Sequence, residues 1–214
     1  MVQKGESVPK RNHVLRCVAL VLLLLSVASV APLLAETEPV HIEWDASQPI
    51  TWALFQASPP ADASRRTEAA AIHMTICWHA TYTVSSTDGT HWTSHLATIS
   101  VTNTMEPSLS WAVPGKTTAS LLEHEQTHFD LGEVYRRKID HQLRLVSPCT
   151  ARSQQGAVNA LDASIRAIGD ALLQQWRAMT ELYDSQTAHG TNVSEQLRWQ
   201  SLIAAWLLAP ATAP

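Results

Sequence analysis

The segment from His124 to His128 reads His-Glu-Gln-Thr-His, and it has the residue types and spacing of a metal-dependent hydrolase. At about 100° of helix per residue, His128 lies about 40° round from His124 and one turn along, so both imidazoles project from one helix face. Such a pair can bind one zinc ion, and Glu125, about 60° beyond His128, can reach a water molecule beside the metal. We therefore expect His124 and His128 to be zinc ligands and Glu125 to be the catalytic base.

A third ligand is needed, because catalytic zinc sites usually combine three protein ligands with one open position for water. Glu133 is one candidate, since it follows the histidines on the same predicted helix. On a continuous helix, however, its side chain lies about 140° away from His128, so only a break at Gly132 would bring it to the metal.

The other candidates lie about sixty residues further on, where a second long helix is predicted to end, in the sequence Tyr183-Asp184-Ser-Gln-Thr-Ala-His189-Gly190. His189 can serve as third ligand, with Asp184 orienting it and Tyr183 donating to a developing oxyanion. Asp184 is itself an alternative ligand. The same residues are equally typical of an ordinary helix C-terminus, with Gly190 as the left-handed cap.

Two halves of the chain must position these residues. Residues 40–113 are rich in Thr, Trp, Ile and Val, and residues 71–84 alternate between apolar and polar side chains, as a half-buried strand does. The Asp88-Gly89 turn favours a hairpin with a second strand over residues 91–104. Residues 117–146, 155–183 and 194–208 have helical spacing. We expect an α+β fold in which an N-terminal antiparallel sheet is followed by long helices, one of them a zincin-like active-site helix.

The first thirty-five residues are predicted to be a signal peptide or an uncleaved N-terminal anchor. Basic residues precede a Leu-rich apolar run, and small residues follow it at Ala31 and Ala35. Residues 36–208 then form a single metalloprotease-like domain, with strands mainly in 40–113 and helices mainly in 117–208, and residues 209–214 are expected to be a disordered tail. The export signal predicts a periplasmic or secreted protein that contacts the membrane only through an uncleaved N-terminal segment.

Cysteine usage fits an exported domain. Cys17 lies within the predicted signal, so Cys77 and Cys149 are left as a pair that an oxidising compartment would join in a disulfide, the alternative being two free thiols. The chain has 214 residues and a net charge of -4, with 45% apolar side chains. This composition suits a globular domain and provides no basic stripe for nucleic acid, so we expect no nucleic-acid partner.

The chain resembles a family of bacterial exported proteins that are described as predicted secreted zinc-dependent proteases and catalogued as a domain of unknown function. Two blocks carry the resemblance, His124 to Leu131 with Glu133, and Tyr183 to Gly190 followed by Gln196 and Trp199. The resemblance implies that both blocks contribute to one site, and it favours His189 over Glu133 as the third zinc ligand.

These observations predict an exported zinc metallopeptidase that acts on a peptide or protein substrate, with an edge strand of the sheet holding the substrate in extended form. A zinc hydrolase acting on a non-peptide amide fits the same residues. The alternative from another class is a non-catalytic envelope protein that binds a metal, a peptide or a cell-wall partner. Three protein ligands beside Glu125 would indicate an enzyme, whereas a fourth protein ligand would indicate binding alone.

Overall fold

The computed structural model describes the backbone of Val14–Val18 and residues 40–214. The described residues contain seven strands and three α-helices. The strands are β1 Val14–Val18, β2 Ile42–Glu43, β3 Ala70–Ala71, β4 Met74–Ser85, β5 Trp92–Met105, β6 Trp111–Ala112 and β7 Cys149–Ala151. The helices are α1 Ala119–Arg144, α2 Gln154–Thr187 and α3 Val193–Leu208. The expected α+β class, with antiparallel strands preceding long helices, is confirmed.

The main sheet is built on the β4–β5 hairpin. Strand β1 pairs with β4, whereas β2 and β7 pair with opposite ends of β5, and every pairing is antiparallel. The predicted turn closes the hairpin: Gly89 has a positive φ of 72°, and Asp88 accepts backbone hydrogen bonds from Thr90 and His91 at 2.8 Å. Strands β3 and β6 form a separate two-stranded ribbon.

The core lies between one face of the hairpin and the helices. The predicted apolar face of β4 is buried, because Ile76, Trp78, Ala80 and Tyr82 pack against apolar side chains of α1 and α2. Strict alternation holds only in the second half of the strand, since Thr75 and Cys77 on the other face are buried as well. Trp78 packs so closely on α2 that a Cβ atom added at Gly169 would lie 2.5 Å from its ring. This packing fixes the position of α2 on the sheet.

Each helix starts at a polar residue that caps it. Thr118 accepts a hydrogen bond from the backbone nitrogen of Leu121 at 3.1 Å, so α1 begins one residue later at Ala119. Ser153 and Asn192 cap α2 and α3 in the same way. The side-chain oxygens of these caps satisfy backbone donors that the first helical turn leaves free. No helix in the described part of the chain is long and apolar enough to cross a membrane.

The expected Cys77–Cys149 disulfide is not formed, because Cys149 is a free thiol. The sheet register explains this result. Cys77 lies opposite Thr102 on β5, whereas Cys149 lies opposite Ser94 near the other end of that strand. At about 3.4 Å per residue the two cysteines are about 25 Å apart, whereas a disulfide requires Cα atoms within about 7 Å.

The structure describes the C-terminal end of the chain but little of the N-terminal end. The signal or anchor predicted for residues 1–35 falls outside the described residues, apart from the backbone of β1, and stays a prediction. Residues 209–214, expected to be a disordered tail, are among the described residues. Pro210–Thr212 forms a short 3₁₀ turn, Ala213 is buried, and the backbone oxygen of Pro214 accepts hydrogen bonds from Tyr135 and Lys138.

Candidate metal centre

Helix α1 presents His124 and His128 on one buried face, as the sequence spacing predicts. Their exposed fractions are 2% and 6%. The two rings meet edge to face with centroids 4.7 Å apart, and their Nε2 atoms are 3.2 Å apart. Two imidazole nitrogens this close, without a carboxylate or a metal to bridge them, would compete for the same proton. The two nitrogens therefore need a carboxylate or a metal ion that contacts both of them.

Asp184 provides an oxygen atom at the point where the two imidazoles meet. Its Oδ1 lies 3.1 Å from Nε2 of His124 and 2.9 Å from Nε2 of His128. In a tetrahedral zinc site with bonds of about 2.0 Å, neighbouring ligand atoms are about 3.3 Å apart. The three atoms thus form a triangle of the size of one face of that tetrahedron. Two imidazoles and a carboxylate are also a donor set found in catalytic zinc sites.

His189 lies at the rim of this cluster. Its Nδ1 is 3.6 Å from Oδ1 of Asp184, and its side chain is 30% exposed. Ligand atoms of His124, Asp184 and His189 all lie within 4.8 Å of one another. The structure therefore brings the His124–His128 pair and both candidates from the end of α2 into one centre, with Asp184 in contact with both histidines of α1 and His189 beside it.

An unusual backbone path at the end of α2 makes this possible. Three consecutive residues, Ala188, His189 and Gly190, have left-handed conformations, with φ values of 48°, 52° and 80°. Only glycine adopts such angles without strain, and the two non-glycine residues cost about 1–2 kcal/mol each. Both of their backbone nitrogens donate to the backbone oxygen of Asp184. This turn folds His189 back towards the carboxylate, which a simple glycine cap would not do.

Gly190 also determines how closely the turn approaches α1. A Cβ atom at this position would lie 2.9 Å from Cβ of His124 and 3.3 Å from its Nδ1. The contact is closer than side-chain carbons tolerate. Gly190 is therefore required twice, for its positive φ and for the space that His124 occupies.

Gln196 on α3 fixes the tautomer of His124. The oxygen of its amide lies 2.8 Å from the Tyr183 hydroxyl and 3.1 Å from Nδ1 of His124, and its nitrogen donates to Oγ1 of Thr127 at 3.2 Å. An amide oxygen accepts only, so Nδ1 of His124 must carry the proton. Nε2 can then carry either a proton, which it donates to Asp184, or a metal ion at the point where Asp184 and His128 converge.

His128 is held differently. Its Nδ1 is buried and has no hydrogen-bond partner among the described residues. The ring is positioned by packing instead, edge-on against Tyr183 with centroids 4.7 Å apart. Burial alone would lower the pKa of His128, but the hydrogen bond and the charge of Asp184 outweigh it and raise the pKa.

Asp184 is held in its ionised form. Although burial opposes ionisation, the hydrogen bonds and charges of His124 and His128 hold the pKa of the Asp184 carboxyl well below its ordinary value. A carboxylate that is already charged and faces two imidazole nitrogens is prepared to bind a cation.

Tyr183, predicted from the sequence to donate to a developing oxyanion, lies beneath the two histidines of α1. The side chain is fully buried and stacks on the ring of His124 with centroids 4.7 Å apart. Its hydroxyl group donates to Gln196 and also lies 3.3 Å from the backbone oxygen of His124, so it is directed into the protein interior. Tyr183 therefore supports the ring of His124 from the protein interior.

Glu133 is not placed to be a ligand. Helix α1 runs through Gly132 without a break, and the glycine serves the packing of α1 on the sheet, since a Cβ there would lie 2.9 Å from the Asn103 side chain. The Glu133 carboxylate binds Arg136 and Arg137 at distances of 2.7–2.9 Å. Both of its oxygens are therefore neutralised by guanidinium groups.

Glu125 opens onto a cavity of about 220 Å³ that His124, His128, Asp184 and His189 also line. Glu125 is 2% exposed, and its carboxylate accepts a hydrogen bond from the backbone nitrogen of Ile72 at 2.9 Å. Burial raises the pKa of this carboxyl, an effect that His128 and His124 reduce in part. A carboxylate with a raised pKa is a better proton acceptor near neutral pH than an exposed one.

Some residues of the centre have no sequence signal that assigns them a role. The backbone nitrogen of Ile72, which orients Glu125, is contributed by the short segment between β3 and β4. Gln196 lies in the second block of the resemblance, but its contact with His124 depends on how α3 packs. The second block is the signal that could have identified Gln196, because an amide beside a histidine cluster is a common supporting residue.

A family model matches residues 47–190, and it describes a bacterial protein of unknown function, DUF922. Because the match covers more than half of the chain, the chain belongs to this family. The matched region contains Glu125 and all four residues of the cluster and ends at Gly190, the glycine in contact with His124. Neither the curated proteins nor the solved structures give a match to the chain.

Proposed function

We propose that the chain is a zinc-dependent hydrolase of the metallopeptidase type, in which His124, His128 and Asp184 hold the zinc ion. One observation carries this proposal. The ligand atoms of these three residues lie 2.9–3.2 Å from one another, and the buried carboxylate of Glu125 lines the same cavity. A zinc ion bound there supplies a Lewis acid that polarises a carbonyl group and makes water more acidic.

Glu125 is the proposed general base. Its raised pKa suits the removal of a proton from water and the later return of that proton to the leaving amine. The hydrogen bond from the Ile72 nitrogen occupies Oε2 and fixes the direction of the carboxylate, so Oε1 is the oxygen available for proton transfer. Because Ile72 follows β3 directly, the strand that lines the cavity also orients the base.

Strand β3 is the proposed binding edge for the substrate. Ala70 and Ala71 pair with β6 and line the cavity together with Glu125. Small side chains here leave room for a second chain, and an extended peptide can add to an exposed strand edge through backbone hydrogen bonds. This geometry favours a peptide over a compact small-molecule amide. His189, at the rim, is placed to donate a hydrogen bond to the oxygen that becomes negative during hydrolysis.

The arrangement of four ligand-type side chains supports a second candidate function. If His189 joins His124, His128 and Asp184 as a zinc ligand, the tetrahedral ion has no open position, and the domain binds metal without catalysis. The 3.6 Å distance from His189 Nδ1 to Asp184 Oδ1 favours this alternative. The exposed fraction of His189, at 30%, favours a side chain that faces the substrate instead.

The test compares two chemically identical substitutions in α1. Glu125→Gln removes the proposed base, whereas Glu123→Gln makes the same change at an exposed position two residues earlier. We expect the purified protein to bind one zinc ion, and Glu125→Gln to retain the zinc while losing at least about 100-fold in peptide hydrolysis. Glu123→Gln should keep both the zinc ion and the peptide hydrolysis. Full hydrolysis by Glu125→Gln would refute the general base, and zinc bound with no peptide cleavage by the unsubstituted protein would favour the metal-binding alternative.

A further inference from the structure

A second cavity, of about 170 Å³, adjoins the candidate metal centre. Three residues, Ile72, Met74 and Thr180, line both cavities, so the two cavities share a wall. Most of the surface that lines the second cavity comes from apolar atoms. An apolar hollow beside a candidate active site is a place where part of a substrate can be held.

Two parts of the chain form the walls of this second cavity. On α2, Trp176 and Thr180 are four residues apart and Asp184 follows after four more, so the three side chains lie on one side of the helix. At a rise of 1.5 Å per residue, Thr180 is about 6 Å and Trp176 about 12 Å from Asp184 along the axis. Ile72 and Met74, where the chain enters β4, provide the other wall. The cavity thus begins one helical turn from the proposed zinc ligand.

The side chains of these walls favour an uncharged, apolar group. Ile72 and Met74 are half-buried, with part of each side chain packed on buried apolar residues and part still accessible. Trp176 adds a large aromatic ring that is 8% exposed. The charged residues of the cavity, Arg177 and Glu181, have opposite signs and lie one turn apart, so they favour neither an anion nor a cation.

The volume of the cavity limits the size of the group that it can hold. Pockets for complete small-molecule ligands are usually about 300–1,000 Å³, whereas an apolar protein cavity of about 150 Å³ holds one benzene molecule. The second cavity is therefore of a size for a single leucine or phenylalanine side chain. A peptide in extended form advances about 3.4 Å per residue, so a residue within about three positions of the reacting carbonyl can reach it.

We propose that the second cavity is a specificity subsite for one apolar side chain of the substrate peptide, of about the size of leucine or phenylalanine. The inference rests on the proposed function, since it assumes that a peptide crosses the metal centre along β3. Insertion of the side chain removes its apolar surface, and that of Ile72, Met74 and Trp176, from water, which stabilises the bound peptide. The subsite selects the peptide, whereas the metal centre and Glu125 act on it.

The test uses blocked pentapeptides of alanine in which the central residue is alanine, leucine, phenylalanine, glutamate or lysine. Their Kd values are measured by calorimetry on the zinc-loaded Glu125→Gln variant, which retains the peptide uncleaved. We expect the leucine and phenylalanine peptides to bind at least about tenfold more tightly than the other three, because even one methylene in an apolar pocket is worth about tenfold or more. Equal Kd values for leucine and alanine, no measurable binding, or tightest binding of a charged peptide would overturn the proposal.

Two substitutions at Thr180, made in the same background, test the volume of the cavity. Thr180→Phe fills the cavity from the α2 side, so the leucine-to-alanine preference should fall by about tenfold. Thr180→Val nearly keeps the side-chain shape and makes the wall more apolar, so it should keep the preference.

A third substitution, Met74→Ala, acts from the opposite wall. It removes apolar contact and enlarges the cavity, so leucine should bind about three- to tenfold more weakly and phenylalanine should be favoured over leucine. Met179→Ala is the matched control, since Met179 is also half-buried and lines neither of the two cavities. It should keep the preference. A leucine preference unchanged in both Thr180→Phe and Met74→Ala would also overturn the proposal.

Failure of the subsite is distinguishable from failure of the proposed function. The same peptides are offered to the unsubstituted protein, and kcat/KM is measured for each. Cleavage at equal rates for the leucine and alanine peptides, together with equal Kd values, supports the hydrolase and refutes the subsite. Zinc binding and leucine-selective peptide binding without any cleavage support the subsite and refute the hydrolase.

Discussion

The two parts of the chain that form the metal centre are built in opposite ways. His124 and His128 lie in the interior of a regular, capped helix, where their relative position follows from helical periodicity alone. Asp184 and His189 lie at the end of α2, where the chain leaves the helix through three consecutive left-handed residues. The first pair is preformed by local structure, whereas the second is held by contacts with other elements.

This difference has an energetic consequence. The helix positions its pair without strain, but the turn after α2 retains an unfavourable backbone that surrounding hydrogen bonds must hold. Thr187 donates to the backbone oxygen of Tyr183 at 2.7 Å, and the nitrogen of Asn192 donates to the oxygen of Thr187 at 2.8 Å. We therefore expect the α2 side of the centre to be the more sensitive to substitutions outside the ligands.

The largest effect is expected from Asp184→Asn. This change removes the charge that both histidines face, so zinc affinity should fall by at least about 100-fold, which chelator competition measures. His189→Gln should reduce zinc affinity by about tenfold or less if the His189 side chain lies beside the metal, as proposed. Asp170→Asn, at an exposed position on the same helix, is the control. A larger loss for His189→Gln than for Asp184→Asn would show that His189 is the third ligand.

A smaller effect is expected from Gln196→Leu. The substitution leaves Nδ1 of His124 without its acceptor and frees the ring to adopt the wrong tautomer, so zinc affinity should fall by about 10–100-fold. Gln200→Leu, one turn further along α3, provides the same change away from the centre. Equal zinc affinity in both variants would contradict the tautomer argument.

The sequence predicts the α1 side of the centre almost completely. Helical periodicity places His124, Glu125 and His128, and alternation identifies the buried face of β4. Both predictions depend on residues that are close in sequence. They succeed because local geometry decides the result and the rest of the fold only has to accommodate it.

The sequence cannot predict what depends on distant packing. Whether Asp184 or His189 meets the histidines is decided by the left-handed path after α2. Histidine adopts that conformation more often than most residues, but neither His189 nor Ala188 requires it. The direction of the Tyr183 hydroxyl group likewise depends on distant packing, because its partner Gln196 is contributed by α3. The expected Cys77–Cys149 disulfide is absent because the strand register places the two residues far apart, and sequence spacing does not give that register.

Gly190→Ala tests the turn itself, and Gly115→Ala is its matched control. Both glycines have a φ near 80°, with values of 80° and 81°, but only Gly190 is in contact with His124, whereas no described atom lies within 4 Å of a Cβ at Gly115. Both variants should lose about 1 kcal/mol of stability from the left-handed backbone. Only Gly190→Ala should also lose zinc affinity, by about tenfold. Equal zinc affinity in the two variants would show that the contact with His124 is unimportant.

The smallest effect on the centre is expected from Gly169→Ala, which changes how α2 packs on the sheet away from the turn. Alanine normally stabilises a helix interior by about 1 kcal/mol relative to glycine. Here its Cβ would lie 2.5 Å from the buried ring of Trp78, so overpacking, which costs about 1–3 kcal/mol, should outweigh that gain. Urea unfolding should show a net loss of about 1 kcal/mol with unchanged zinc affinity. Ala171→Gly, at an exposed position on α2, measures the helix propensity term alone. If Gly169→Ala instead weakens zinc binding, a change of packing in the middle of α2 alters the turn at its end. The α2 side of the centre would then depend on the whole helix.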